Sequence, residues 1–175
     1  MMTLVVGGAA SGKSEYAEGL VLASACQKRI YIATMEPFDE ECLRRIEKHR
    51  RLRAEKRFET VECYTDLASA VVPVGGAVLL ECMGNLCANE LYSPRGSGDG
   101  AEVAILRGVE RLRGQCGDLV VVSNEVFSGG SRYEGDTLRY LELLGRVNRR
   151  LAVMADNVCE VVCGVPVYYK GKEPC

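Results

Sequence analysis

The chain has little net charge, a single histidine and no long apolar run. Its formal charge is −2 and its pI is about 5.6, so it lacks the broad positive surface with which proteins grip nucleic acid. No stretch of 18 apolar residues occurs, and a short strand pattern follows Met1 directly. We therefore expect no nucleic-acid partner, no membrane span and no signal peptide.

The chain has nine cysteines, but no two of them have C-x-x-C spacing. One histidine cannot complete a zinc site of cysteine and histidine ligands by itself. The cysteines lie in apolar contexts such as Glu81-Cys82-Met83. We expect buried, reduced thiols, which are typical of the cytoplasm.

Neither an internal repeat nor a linker divides the sequence, so residues 1–175 are expected to form a single domain. Apolar runs alternate with helical patterns, which predicts an α/β fold with a mostly parallel central sheet and helices on both faces. The predicted strands are Leu4–Gly7, Arg29–Ala33, Glu59–Cys63, Ala77–Cys82, Leu119–Ser123, Val158–Cys163 and a hairpin strand Val165–Tyr169. The predicted helices are Lys13–Cys26, Asp39–Arg53, Asp66–Val71, Glu102–Gln115 and Asp136–Ala155, and residues 93–100 are expected to form a flexible surface loop.

A glycine-rich segment joins the first predicted strand to the first predicted helix. It consists of Gly7, Gly8, Ala9, Ala10, Ser11, Gly12, Lys13 and Ser14. Together with the preceding strand, this is the pattern of a P-loop, in which backbone N–H groups surround phosphate oxygens at a helix N-terminus. We expect Lys13 to reach the β- and γ-phosphates and the Ser14 hydroxyl to bind Mg²⁺. The pattern predicts a P-loop NTPase-like domain that binds a nucleoside triphosphate.

Two further strands end in polar residues at the same predicted edge of the sheet. Glu81 ends the apolar run that begins at Ala77 and is a candidate second ligand for Mg²⁺, as in a Walker B strand. A Walker B strand usually ends in Asp, and an acidic residue can also simply end a strand. The strand Val120–Val122 runs into Ser123, Asn124 and Glu125, which could either contact substrate or cap a helix.

His49 lies in a strongly basic predicted helix, since six of the ten residues 44–53 are Arg or Lys. Neighbouring guanidinium groups disfavour the protonated imidazole and leave a nitrogen able to attack phosphorus. The alternative is a solvated helix face with an incidental histidine. Composition alone leaves both interpretations open.

Taken together, these segments resemble the bifunctional adenosylcobinamide kinase/adenosylcobinamide-phosphate guanylyltransferase family of cobalamin biosynthesis. The resemblance runs nearly end to end and rests on ordered motifs at near-matching spacing. They are residues 4–14, Tyr31–Thr34, Arg45-Ile46 with His49 and Arg53, Thr60–Glu62, Leu79–Cys82, Val122–Val126, Gly145–Ala152, Ala155-Asp156 and Gly164–Pro166.

The resemblance implies a two-step activity. The aminopropanol hydroxyl of adenosylcobinamide would be phosphorylated by ATP or GTP, and GMP would then pass from GTP to that phosphate through a GMP–histidine intermediate. The matching histidine is His49, and Lys13 would serve catalysis from the P-loop. Nucleotide-contacting positions match Ile32, Ala33, Thr34, Arg50, Arg51, Leu52, Arg53, Glu62 and Glu81. The family assembles as homotrimers.

The chain departs from the family pattern in two places. Ala54–Phe58 replaces a segment that usually contains Pro and Trp, and Ser131–Asp136 with Leu141-Glu142 differs from the usual arginine-bearing stretch. These differences leave open a kinase or nucleotidyltransferase of the same fold that acts on another acceptor. A regulatory GTP switch is disfavoured, because neither an Asn-Lys-x-Asp nor an Asp-x-x-Gly string occurs.

Overall fold

A seven-stranded sheet organises the chain. The computed structural model describes residues 1–37, 44, 47, 51, 55–127 and 133–172. The strands are β1 (Met2–Gly7), β2 (Arg29–Ala33), β3 (Glu59–Glu62), β4 (Ala77–Glu81), β5 (Asp118–Asn124), β6 (Asn157–Val162) and β7 (Val165–Lys170). Their spatial order is β3-β2-β4-β5-β1-β6-β7, and only β7 is antiparallel to its neighbour. All seven predicted strands and the mostly parallel sheet are thus confirmed, with ends shifted by at most two residues.

In the described part of the chain, four α-helices with defined bounds cover the two faces of this sheet. They are α1 (Lys13–Ala23), α2 (Met83–Tyr92), α3 (Ala101–Gln115) and α4 (Gly135–Met154). Helix α1 packs on one face through Ala17 and Val21, whereas α2, α3 and α4 pack on the other. The alternation of side chains along a strand separates the two cores: in β4, Leu79 joins the α1 side while Val78 and Leu80 join the opposite side.

Three predicted helices are confirmed as α1, α3 and α4, and two expectations need correction. The predicted helix Asp66–Val71 is only a 3-10 turn at Leu67–Ser69, because a β-branched pair leads into Pro73, which disfavours helical geometry at Val72. Helix α2 was not predicted, although its buried residues Met83, Leu86, Cys87 and Glu90 have helical spacing.

Two other predicted segments have different outcomes. The predicted surface loop 93–100 lies at the surface and contains a 3-10 turn at Gly98–Gly100. The predicted helix Asp39–Arg53 falls mostly outside the described residues. Arg44, Glu47 and Arg51, which are described, are helical.

Candidate nucleotide site

The loop 7–14 connects the interior strand β1 to helix α1 at the carboxyl edge of the sheet, where open α/β sheets bind ligands. Gly12 has φ +88°, a left-handed conformation that residues with a Cβ rarely adopt. Two neighbours hold the loop: the Gly164 N–H donates to the Ser11 carbonyl at 2.8 Å, and the Glu125 N–H donates to the Gly7 carbonyl at 3.0 Å. The cradle is therefore built from one loop and supported by the ends of β5 and β6.

The start of α1 is open to an anion. No side chain caps it, and the first N–H groups of a helix have no partner within the helix. The Lys13 ammonium donates to the Gly8 carbonyl at 3.0 Å, so the lysine lies across its own loop. Uncapped N–H groups, a helix dipole and an adjacent ammonium together make a phosphate-binding arrangement.

The structure brings together Ser14 and Glu81, the two residues proposed from the sequence as Mg²⁺ ligands. The Ser14 hydroxyl donates to Glu81 Oε1, and the Tyr31 hydroxyl donates to Oε2 at 3.1 Å. Tyr31 is itself buried, with its ring edge-on to Phe58 at a centroid distance of 6.4 Å. A hydroxyl and a carboxylate are the hard oxygen donors that Mg²⁺ prefers, so this pair fits the ion.

Tyr31 was missed as a site residue. The signal that finds it is the strand register, because Tyr31 lies opposite Leu79 and Ala33 lies opposite Glu81 on the neighbouring strand. Residues two apart on a strand share a face, so Tyr31 and Glu81 point to the α1 side together.

Glu62 lies on that same face, two strands away from Glu81. Both glutamates are in register with Ala33, Glu62 on β3 and Glu81 on β4, so their backbones are about 10 Å apart at the usual strand spacing. Glu62 is exposed and accepts a hydrogen bond from the Tyr64 hydroxyl at 2.9 Å. Ile32 points to the opposite face and is fully buried, so only its backbone could touch a ligand.

Thr34 follows β2 and is completely buried. Its hydroxyl donates to the Cys82 carbonyl at 2.8 Å and accepts from the Cys82 N–H at 2.7 Å. The Asn89 amide donates to the Thr34 carbonyl at 2.8 Å and to the Tyr64 carbonyl at 2.9 Å. Thr34 thus joins the ends of β2 and β4 next to Glu81, and its hydroxyl is already occupied.

The basic segment is described only in part. His49, Arg50, Leu52 and Arg53 lie outside the described residues. Arg51 is described: its side chain is 79% exposed, and its guanidinium pairs with Glu47 Oε1 at 2.6 Å. An exposed pair of this kind holds the side chain weakly, so Arg51 can exchange Glu47 for a phosphate at little cost.

The polar tip of β5 is tied to helix α4. The Ser123 hydroxyl is fully buried and donates to Asn148 Oδ1 at 2.6 Å. Further along, the Phe127 N–H donates to Glu125 Oε1 at 2.8 Å. Of the two roles left open for this tip, Ser123 serves neither as a helix cap nor as an accessible contact; it fastens α4 to the sheet.

The described cysteines are free thiols, and only Cys163 among them is exposed. Burial raises the pKa of the Cys63 thiol to about 11, with the nearby carboxylates of Asp66 and Glu90 acting in the same direction. Burial also raises the pKa of Cys82 and Cys87. These thiols stay protonated near neutral pH and are poor nucleophiles. Within the described residues, no cluster of three or more His, Cys, Asp or Glu side chains could hold a metal.

No helix in the described part of the chain combines the length and apolar character needed to cross a membrane. The parallel sheet and the glycine loop at its carboxyl edge define the chain as an α/β protein with a P-loop NTPase-like fold. Its fold resembles that of the flagellar accessory protein FlaH from Methanocaldococcus jannaschii, with a TM-score of 0.51 at 10% identity, covering 98% of this chain and 78% of that one.

Sequence comparison then gives the family. The family model for cobinamide kinase/cobinamide phosphate guanyltransferase, CobU, matches residues 3–169. The bifunctional adenosylcobalamin biosynthesis protein CobU of Escherichia coli is 36% identical over 97% of this chain and its own full length. The bifunctional adenosylcobalamin biosynthesis protein CobP of Pseudomonas aeruginosa is 32% identical over 98% of this chain and 99% of its own. The chain belongs to the cobinamide kinase/cobinamide phosphate guanyltransferase family.

Proposed function

We propose that this chain catalyses two successive transfers on a corrinoid. ATP or GTP first phosphorylates the aminopropanol hydroxyl of adenosylcobinamide, and GMP then moves from GTP to the new phosphate, giving adenosylcobinamide-GDP and pyrophosphate. The observation that carries the proposal is the contact between Ser14 and Glu81 beside an uncapped P-loop helix. Family membership over residues 3–169 supports the choice of substrates.

In the kinase step, the acceptor hydroxyl oxygen attacks the γ-phosphorus and releases its proton to solvent. The bond between the γ-phosphorus and the bridging oxygen breaks, so a nucleoside diphosphate leaves. Loop 7–14 fixes the triphosphate by its N–H groups, and Lys13 exchanges the Gly8 carbonyl for a phosphate oxygen. Ser14 and Glu81 would hold Mg²⁺, which supplies neutralisation of the developing negative charge. Positioning and charge stabilisation are the main catalytic contributions to phosphoryl transfer.

In the second step, a His49 nitrogen attacks the α-phosphorus of GTP and pyrophosphate leaves. A phosphate oxygen of the acceptor then attacks the same phosphorus, and the bond to His49 breaks. Arg50, Arg51, Leu52 and Arg53 follow His49 directly, and we propose that the arginines neutralise the triphosphate. Glu62, Glu81 and the segment Ile32–Thr34 are the other proposed nucleotide contacts. The two steps attack different phosphorus atoms, so we propose that the segment carrying His49 moves between them.

The first experiment incubates the purified protein with Mg²⁺ and GTP labelled at the α-phosphate, then denatures it and maps the retained label. We expect an acid-labile, base-stable label on the peptide that contains His49. A protein that binds GTP but retains no label would refute the covalent intermediate and leave a P-loop kinase whose basic segment only holds substrate.

Two variants separate the steps. His49→Ala should retain phosphorylation of adenosylcobinamide and lose GMP transfer; an equal loss of both would contradict this division. Lys13→Ala should lower both rates by about 10²-fold or more, since it removes a charge aimed at the transferred groups. Lys28→Ala, at an exposed lysine on another surface, is its control. If Lys13→Ala left GMP transfer intact, two separate nucleotide sites would be present.

We also propose that the protein works as a homotrimer in the cytoplasm, following the family resemblance and the buried thiols. Light scattering on the protein eluting from a size-exclusion column gives the mass of the assembly, and the mass of a monomer would contradict the proposed trimer. Assays with adenosylcobinamide and with other phosphate acceptors, all compared by kcat/KM, test the substrate. A stronger preference for another acceptor would favour the alternative of a related kinase or nucleotidyltransferase.

A further inference from the structure

The side chain of Asn124 lies at the polar tip of β5, next to the phosphate loop. Strand β5 lies between β1, which leads into loop 7–14, and β4, which ends in Glu81. Asn124 is in register with Gly7, the first residue of the loop, so their backbones are about 5 Å apart at the usual strand spacing. Asn124 therefore lies beside the proposed phosphate cradle, on the side of the proposed Mg²⁺ ligand Glu81.

Asn124 also extends beyond the end of the neighbouring strand β4. Leu80 is in register with Val121, so Glu81, the last residue of β4, is level with Val122. Asn124 lies two residues farther along β5, about 7 Å beyond that level. This is the edge at which open α/β sheets bind their ligands.

Two hydrogen bonds hold the backbone around Asn124, whereas its side chain is not held. The Asn124 carbonyl accepts from the Asn148 amide at 3.4 Å, and the N–H of the next residue, Glu125, donates to the Gly7 carbonyl at 3.0 Å. The Asn124 side chain is partly buried, and its amide nitrogen donates to no residue that the structure describes. An N–H donor in this state can bind a ligand without first breaking a contact within the protein.

The start of helix α2 leaves room for this amide. A Cβ on Gly84, in the first turn of α2, would lie 2.7 Å from Asn124 Nδ2 and 3.0 Å from the Tyr140 hydroxyl oxygen. The φ of Gly84 is not in the left-handed region, so the backbone conformation does not require a glycine. The close approach of Asn124 and Tyr140 does require one, and a helical glycine costs up to about 1 kcal/mol relative to alanine.

The cationic group of the loop lies on the same side. Burial raises the pKa of the Cys82 thiol, and the positive charge of Lys13 acts in the opposite direction. The Lys13 ammonium is therefore near Cys82, which precedes α2. A P-loop lysine reaches the β- and γ-phosphates, so this position directs the end of a bound triphosphate toward the tips of β4 and β5.

We propose that Asn124 is a catalytic residue of the kinase step and that its side-chain N–H donates to an oxygen of the γ-phosphoryl group during transfer. The inference rests on the proposed kinase function of loop 7–14. In phosphoryl transfer, negative charge is spread over the three equatorial oxygens of the transferred group. A donor that is fixed in advance beside these oxygens stabilises the transition state. Asn124 forms no covalent bond and moves no proton.

This role distinguishes the two proposed transfers. In GMP transfer the reaction takes place at the α-phosphorus, and the γ-phosphoryl group leaves within pyrophosphate with its own bonds to oxygen unchanged. Asn124 is therefore important for phosphorylation and contributes little to GMP transfer.

The test compares Asn124→Ala and Asn124→Asp with the unsubstituted protein in two separate assays. One measures phosphorylation of adenosylcobinamide, and the other measures GMP transfer from GTP to adenosylcobinamide phosphate. Aspartate has nearly the shape of asparagine but lacks the N–H donor, so this variant separates loss of the hydrogen bond from loss of packing. Urea midpoints verify that both variants fold.

We expect Asn124→Ala to lower the kcat of phosphorylation about 10²-fold, with KM for the nucleotide and the rate of GMP transfer within about 3-fold. Asn124→Asp should lower the kcat of phosphorylation at least as much. An Asp variant that phosphorylates at the parent rate would overturn the assignment, and so would an equal loss of both transfers in Asn124→Ala. In either case the kinase proposal would stand. If the unsubstituted protein does not phosphorylate adenosylcobinamide, the kinase proposal fails, and the assignment of Asn124 fails with it.

Gly84→Ala gives an independent measurement, because its methyl group would occupy the space beside the Asn124 amide. We expect it to lower phosphorylation selectively as well. In the Asn124→Ala background the same substitution should change kcat less than 2-fold, since the displaced group is already absent. A Gly84→Ala loss of the same size in both backgrounds would contradict the role of this glycine in placing Asn124.

Discussion

At the scale of single residues, the Glu81 side chain connects helix α1 with strand β2 in the candidate site. One carboxylate oxygen accepts from Ser14 and the other accepts from Tyr31. A tyrosine fixed by its ring against Phe58 therefore orients a carboxylate that a metal ion would share with Ser14.

Replacing Glu81 by Gln should lower the turnover of both transfer steps by about 10²-fold or more, because an amide does not neutralise a divalent cation. The Mg²⁺ concentration for half-maximal rate should rise. Tyr31→Phe is the matched control, since it removes one hydrogen bond and keeps the ring; we expect only a several-fold change. A Glu81→Gln protein with an unaltered Mg²⁺ dependence would show that Glu81 lies apart from the metal.

The sequence indicates the positions of some site residues but not the surroundings of others. The proximity of Ser14 and Glu81 follows from two local patterns that both end at the carboxyl edge of a parallel sheet. The buried Thr34 is held by hydrogen bonds with the backbone of Cys82 and with Asn89 of an unpredicted helix. Contacts between residues that lie far apart in the sequence leave no signal in a local sequence pattern.

At the scale of elements, the end of helix α4 is closed by a residue from strand β7. The Lys170 ammonium donates to the carbonyls of Ala152 at 3.2 Å, of Val153 at 3.1 Å and of Ala155. These carbonyls belong to the last turn, where the helix dipole favours a cation. No basic residue of α4 itself occupies that turn, so the edge strand supplies the missing charge.

Lys170→Met should reduce the free energy of unfolding by about 1 kcal/mol, in the range of charge–dipole contacts at helix ends. Lys172→Met is the control, and we expect it to stay within about 0.5 kcal/mol of the parent protein, as for most surface changes. Urea titrations give both values from the midpoints at constant slope. Equal midpoints for the two variants would mean that the contacts of Lys170 with the C-terminal carbonyls of α4 do not stabilise the protein.

Elements were predicted well where the pattern was local. Alternating apolar runs located every strand, and the two long amphipathic helices were found within one residue. Helix α2 was missed because Gly84, Asn85 and Asn89 have low helix propensity; its stability comes instead from burial against the sheet. Strand order could not be predicted, since β1 pairs with β5 and β6 rather than with any strand near it in sequence.

At the scale of the whole molecule, buried thiols and a partly buried tyrosine hydroxyl should make the free energy of unfolding decrease at alkaline pH. Burial raises the pKa of Cys63 to about 11 and that of Tyr140 to about 12, and it raises the pKa of Cys82, Cys87 and Cys116 as well. The folded state thus prefers the protonated thiol. Below the usual thiol pKa of 9.0 both states are protonated and this stability is fully present.

Between pH 9 and pH 11 the unfolded chain loses its thiol protons first, so the free energy of unfolding should fall as pH rises. Urea midpoints measured under reducing conditions at pH 8, 9, 10 and 11 test this. The Cys63→Ala variant should show a shallower decline than the parent protein between pH 9 and 11. A midpoint that stays constant over this interval would contradict the assigned burial of the thiols.

The interior position of β1 in the sheet has a consequence for how the protein is made. A ribosome produces β1 and loop 7–14 before the other described strands, and residues 8–117 separate β1 from β5, the first of its two neighbours in the sheet to be made. At 5–20 residues per second, synthesis of this interval takes on the order of 10 s, and during that time the apolar strand β1 has no neighbouring strand to pair with. Gly164, whose N–H donates to the Ser11 carbonyl, is synthesised later still. Loop 7–14 therefore gains its two supporting hydrogen bonds only after β5 and β6 have been made, and a chaperone that shields Met2–Gly7 during that interval would protect an apolar strand from misassembly.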